Sequence, residues 1–145
     1  MTDAFVEPKE STAAEAIAAI GDELALFDDW TERYHYIIEM GRSLPPYPDA
    51  WADEMHRVQG CQSKVWLNVE ARDDRLFLAG ASDAVIVSGL VALMLRVYSG
   101  RTPDEILATD PAFLKRLGLI EALSTNRGNG VAAMARRIQA IARAT

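Results

Sequence analysis

Residues 65–80 read VWLNVEARDDRLFLAG, and their period decides the fold class. Val65, Leu67 and Val69 alternate with Trp66, Asn68 and Glu70, which sets the apolar side chains on one face of an extended strand. Asp73-Asp74 supplies a turn, and Leu76, Phe77 and Leu78 give a second strand closed by Gly80. Two strands alone are marginal in water, so a third is expected, around Arg57-Val58.

On both sides of this hairpin the period is helical. Downstream, Ser82 is the expected cap of a helix running through Tyr98, apolar on nearly every side and therefore the central packing element. Gly100 stops it. Thr102-Pro103-Asp104-Glu105 joins a capping box to a proline at the first helical position, and Asp110-Pro111 repeats that start. A loop is expected over Ser124 to Gly130, then a last helix from Val131 to Ala142 with Met134, Ile138 and Ile141 at helical spacing. Arg136, Arg137 and Arg143 suit the negative end of that helix.

Upstream, Thr12 and Glu15 form a capping box for a helix carrying Ile17, Ile20, Leu24 and Phe27 on one face. Asp28-Asp29 breaks it and caps the next helix, which carries Trp30, Tyr34, Ile37, Ile38 and Gly41. Pro45, Pro46 and Pro48 enforce an extended loop. The pattern predicts an α+β fold, a small antiparallel sheet of about three strands packed by several helices. It forms one domain over residues 1–145, with residues 1–12 as a flexible N-terminal segment.

The chain has 145 residues, 50% hydrophobic and 25% charged, with a formal net charge of −6. An acidic chain has no general attraction for phosphate backbones or anionic lipid, so nucleic-acid and membrane-surface binding are not expected. Up to Gly60 there are 13 acids against 4 bases; from Cys61 onward there are 8 acids against 11 bases. A solvated acidic surface and an acidic face for a basic partner both fit that asymmetry. Met1 to Ser11 lacks a basic stretch followed by an apolar one, and Ala84 to Leu95 is too short to span a bilayer. A cytoplasmic protein with a reduced thiol is expected.

Cys61 is the only cysteine, which excludes an internal disulfide, a zinc site built on two thiolates and a CxxC redox pair. A lone cysteine is ordinarily a small core residue. Cys61, however, stands in a polar run, Gln59-Gly60-Cys61-Gln62-Ser63, where Gly60 permits a bend that presents the sulfur. The residues alone leave packing and reactivity both open, since reactivity requires a group that stabilises the thiolate. His35 and His56 are the only bases for a Cys–His hydrolase, and no nucleophile signature surrounds them. The histidines and carboxylates show no metal-ligand spacing. Asp53-Glu54 and Asp104-Glu105 read as surface or caps, and Trp30, Trp51 and Trp66 as core.

Five stretches together resemble the SufE family of sulfur-acceptor proteins. QGCQSKVWL at 59–67 is similar to the family's signature, and DDWTERYHYIIEMGRSLP at 28–45 to its second-helix segment. SDAVIVSGL at 82–90, YSGRTPDEI at 98–106 and NRGNGVAAM at 126–134 resemble its central-helix start, the following turn and the entry to its last helix. They occur in the family's order across about residues 24–142.

The resemblance implies a small α+β fold related to NifU-type iron–sulfur scaffolds. It also implies a persulfide carrier that stimulates a pyridoxal-phosphate-dependent SufS-type cysteine desulfurase, rather than an autonomous enzyme. Cys61 matches the acceptor position, on a loop where the sulfur turns toward apolar cover and must swing out. Gln59, Gly60, Gln62 and Ser63 would shape that loop. Asp83 would oppose the helix dipole or restrain the loop, and Arg127 would stabilise a thiolate, meet the desulfurase, or simply be a surface arginine. The sulfur would pass to an iron–sulfur scaffold complex of SufBCD type. No metal and no cofactor of its own are expected, the pyridoxal phosphate belonging to the desulfurase. An acceptor for another thiolation pathway, a redox-sensing module using Cys61 and a purely structural adaptor are the alternatives.

Overall fold

The computed structural model describes residues 3–59, 63–119 and 125–145, the last stretch with side chains from residue 130 onward. The order is α1 (Ala13–Leu24), α2 (Trp30–Arg42), a 3₁₀ turn (Asp49–Trp51), β1 (Val65–Arg72), β2 (Arg75–Ser82), α3 (Val85–Tyr98), α4 (Pro103–Ala108), α5 (Phe113–Arg116) and α6 (Thr125–Arg143). It is a mixed fold with a small antiparallel sheet packed by helices.

The helix starts marked by capping residues are mostly made as the sequence dictates. Thr12, Asp29 and Thr102 each accept the backbone N–H three residues on, from Glu15, Glu32 and Glu105, at 3.0, 2.9 and 3.2 Å. Glu105 does more, because its Oε2 accepts the Ala13 N–H at 2.7 Å and so serves the first turn of α1 from a distant part of the chain. Three boundaries differ from expectation. Ser82 does not cap α3; it is the last residue of β2, and α3 begins after Ala84 without a side-chain cap. Asp110 accepts the Ala112 N–H at 2.8 Å, but α5 starts only at Phe113. The expected loop through Gly130 is helical from Thr125, because the buried Met134, Ala135 and Ile138 further along anchor a helix that TNRGNG would not favour alone.

Among the described residues the sheet has two strands rather than about three. β1 and β2 pair from Val65↔Ser82 to Arg72↔Arg75, with Asp73 at φ 57° in the turn. The segment around Arg57 contributes one isolated bridge to Trp66, and Arg101 makes another to Leu76 on the opposite edge. Gly80 does not close β2. A Cβ there would lie 2.9 Å from Val91 Cγ1, so the bare backbone lets α3 settle on the strand. Leu76 and Leu78 face the main core, while Phe77 and Ala79 join a second cluster on the other face.

The main core is built around α3, in which nearly every residue from Ile86 to Tyr98 is buried. α2 crosses it with backbone contact: a Cβ on Gly89 would stand 2.1 Å from Ile37 O. None of the tryptophans is fully buried, although Trp51 packs against the second cluster. Trp30 opens α2 with 38% of its surface exposed beneath the Arg33 guanidinium, 5.2 Å from the ring centroid, and Trp51 and Trp66 are half-buried.

The N-terminal segment, for which flexibility was expected, is bonded to the fold from Asp3 onward. Ala4 and Phe5 are buried, and the Val6 N–H donates to Leu78 O at 2.8 Å. The Ser99 hydroxyl donates to Val6 O at 2.6 Å and accepts the Leu78 N–H at 2.9 Å. Glu10 and Glu23 both take the buried Arg96 guanidinium, at 2.7 and 2.8 Å, and the Tyr36 hydroxyl donates to Glu23 at 2.7 Å. Arg96 holds the Glu23 carboxyl below the usual carboxylate range, while burial and then Glu23 push the Tyr36 phenol up.

Candidate functional site

Cys61, with Gly60 and Gln62, lies outside the described residues; the two arms that flank it lie within them. The arms are the segment ending at Val58 and the start of β1. The Leu67 N–H donates to His56 O at 2.9 Å and the Val58 N–H to Val65 O at 2.8 Å, so the two arms form a short antiparallel stem. Val58 and Val65 are 2% and 1% exposed, which roots the stem in the core. Alternation does this: Val65 and Leu67 point inward, and Val58 meets them from the neighbouring segment.

On its other side the stem is held by the β2–α3 junction. The Lys64 N–H donates to Asp83 Oδ1 at 3.0 Å, and Lys64 O accepts both the Asp83 N–H at 3.2 Å and the Ser82 hydroxyl at 2.7 Å. Lys64, Ser82 and Asp83 thus form a clamp at the return arm. Sequence reasoning missed Ser82 here, having assigned it to the helix cap. It also missed Lys64, whose part is played by its backbone, for which side-chain chemistry carries no signal. Gln59 is exposed in a turn and Ser63 half-buried in a bend. Arg127 falls in the first turns of α6 rather than in a loop, and its side chain is outside the described part.

The other sequence candidates are dispersed. His56 Nδ1 is 2.7 Å from Asp53 Oδ1, and the hydrogen bonds from His56 keep the Asp53 carboxyl below its ordinary range. His35 is exposed on α2. Among the described residues no three His, Cys, Asp or Glu side chains gather as a metal site, and no helix is long and apolar enough to cross a membrane. Two large apolar side chains next to the stem remain exposed, Met55 at 79% and Val85 at 60%. Met55 immediately precedes His56 in the outgoing arm, and Val85 opens α3 two residues after Asp83.

A family model described as "SufE: Fe-S metabolism associated domain" matches residues 18–142, a span that includes both arms of the stem, the clamp and Cys61. The chain belongs to the SufE family. It therefore has a role in Fe–S metabolism. An uncharacterised SufE-like protein of Rhizobium meliloti (strain 1021) is 43% identical over 123 residues, covering 81% of this chain and 88% of that protein. A second SufE-like protein, from Rhizobium etli, is 40% identical over 123 residues, covering 81% and 83%. The solution structure of a hypothetical protein from Thermus thermophilus has a TM-score of 0.74 at 22% identity, covering 89% of this chain and 94% of that one. At that identity it shows a shared fold and nothing more. The SufE family assignment rests on the first three comparisons.

Proposed function

We propose that this SufE-family chain is a sulfur acceptor that takes a persulfide sulfur from a SufS-type cysteine desulfurase onto Cys61 and hands it to an iron–sulfur scaffold complex of SufBCD type. The observation that carries the reading is that the family-matched span contains the chain's single cysteine, in the sequence GCQS, between the two bonded arms of the stem.

Carbon–sulfur cleavage of free cysteine occurs on the pyridoxal phosphate of the desulfurase and leaves that enzyme with a persulfide on its own cysteine. The Cys61 thiolate attacks the outer sulfur, a new S–S bond forms, and the bond to the desulfurase sulfur breaks. The proton travels with the transferred sulfur and the desulfurase thiolate leaves. Nothing is oxidised or reduced overall, as in thiol–disulfide exchange. A chain with one thiol suits this, because a second thiol nearby would attack the new persulfide and discharge it. Met55 and Val85 offer apolar contact beside the stem, of the kind that anchors a partner. Removing the cysteine persulfide from its desulfurase would also speed that enzyme's turnover.

Incubation with a SufS-type desulfurase and cysteine is expected to add the mass of one sulfur atom, removable by reductant, and Cys61→Ser to lose both the adduct and the stimulation of cysteine turnover. A serine variant that stimulates as well as the parent would overturn sulfur acceptance. Modification of Cys61 by oxidant alone, independent of desulfurase, would point to a redox sensor instead. Co-purification of a different thiolated acceptor would move the chain to another sulfur pathway.

A further inference from the structure

The second apolar cluster lies on the sheet face away from the main core. It joins Ala4 and Phe5 of the N-terminal segment, Ala79 and Phe77 of β2, and Tyr47 and Trp51 of the connection that leads to the stem. The Phe5 and Trp51 rings stand 5.6 Å apart, and Tyr47 meets Trp51 edge-on at 5.8 Å while its hydroxyl donates to Trp51 O at 3.3 Å. Phe5 is itself fixed. Its N–H donates to Asp3 Oδ1 at 3.0 Å, the Arg72 guanidinium bonds Asp3 Oδ2 at 2.7 Å, and that guanidinium lies over both Phe5 and Phe77.

From Trp51 the covalent path to the stem is short and tightly turned. Trp51 closes the 3₁₀ turn by donating its N–H to Pro48 O at 3.0 Å. Asp53 then accepts the His56 N–H at 3.0 Å, and His56 O receives the Leu67 N–H of the stem. Tyr47–Val58 has no α-helix of its own, and Tyr47 and Trp51 pack in one cluster with Phe5 and with Phe77 and Ala79 of the sheet. Residues 3–17 precede the span that the family model matches, so the Phe5 side of this brace lies outside that span and the Trp51 side within it.

We infer that Phe5 and Trp51 are positioning residues for the stem: the N-terminal segment braces its outgoing arm, and its docking governs how firmly the two arms on either side of Cys61 are held together. The consequence for sulfur transfer rests on the proposed role of Cys61; the mechanical part does not. Amide hydrogen exchange on the full chain reads the mechanical part, and persulfide formation reads the rest. In Phe5→Ala the Val58 and Leu67 amides are expected to exchange about tenfold faster, the factor that loss of an aromatic pair of about 1.4 kcal/mol implies. Phe5→Leu, a milder change that keeps apolar cover, is expected to give a smaller acceleration, and Phe5→Tyr, which keeps the ring, to restore the parent rates.

If Phe5 only adds to global stability, the slowest amides of α3 will accelerate at least as much as Val58 and Leu67, and the inference is overturned. With desulfurase and cysteine, the rate of adduct formation should fall in Phe5→Ala and recover in Phe5→Tyr. Absence of any adduct on the parent protein would defeat the proposed function but leave the exchange result standing, so the two failures are told apart.

Discussion

Among the described residues Arg101 is the largest of the fully buried side chains, and no carboxylate is bonded to it. Its guanidinium donates to Val97 O at 3.0 Å, Arg96 O at 3.3 Å and Glu10 O at 2.7 Å. Two of those carbonyls are among the last of α3, which the helix itself leaves without partners, and the third belongs to the N-terminal segment. Burial pulls the Arg101 pKa down, and the three oxygens keep the cation in place. Arg101→Met, which fills the volume but strands the carbonyls, is expected to cost about 2–4 kcal/mol in urea unfolding, with Arg101→Lys recovering part of the loss. Nothing in SGRTP announces that role, because the three acceptors are backbone atoms placed by the fold. At the same scale Cys61 stands out in the sequence by being alone in a polar run. The bond from Lys64 to Asp83, residues 19 apart, does not, since it depends on the Val65↔Ser82 register.

Among the elements, the α2–α3 crossing has the narrowest tolerance. Gly89 lies against the Ile37 carbonyl and Gly41 against the Gly89 backbone, where nothing flexible can give way. Gly89→Ala is expected to destabilise by about 3 kcal/mol, because the helices must move apart and loosen α3 against its neighbours. Gly21 in α1 is the contrast: its added Cβ would meet only the mobile end of Leu117, at 3.3 Å. Gly21→Ala is expected to be neutral or to stabilise by up to about 1 kcal/mol, since alanine favours the helix. Thermal melts of the two variants side by side test both signs. The elements were largely legible: the hairpin from its alternation, three helix starts from their caps, α3 from its continuous apolar run. The misplaced boundaries have physical causes. Gly80 reads as a stop but is a packing notch, and the glycines and asparagines before Val131 are carried into α6 by contacts further along.

For the molecule as a whole, two sets of groups set the pH range of stability. Glu23, Asp3 and Asp53 have carboxyls held below their unfolded values of 4.5, 3.8 and 3.8, first by the Arg96 bond, the Phe5 N–H and the His56 ring respectively. Their contribution is complete above those values and is lost as the pH falls through the lower folded ones. Tyr47 and Tyr98 are pushed by burial from 10.0 to about 12, so what they contribute is complete below pH 10.0 and is lost as the pH rises toward about 12. Melting temperature is therefore expected to fall at both ends, with a shallower acid limb in Glu23→Gln and a shallower alkaline limb in Tyr98→Phe. The N-terminal segment was the least legible part of this whole. Its polar residues resemble a tail until Arg72, Arg96, Ser99 and Arg101, each at least 69 positions from its partner, are seen to receive it. Its seat on Leu78 has one more result. Val6, Ser99, Gly100 and Arg101 occupy the outer row of β2 at Leu76 and Leu78, while His56 and Val58 occupy that of β1, and Asn68 Oδ1 takes the Val69 amide. Along these stretches a neighbouring chain finds no vacant ladder to zip onto, so growth of the sheet from molecule to molecule, the route to fibrils, is opposed there, at Leu78 by the same contacts that fasten the N-terminus.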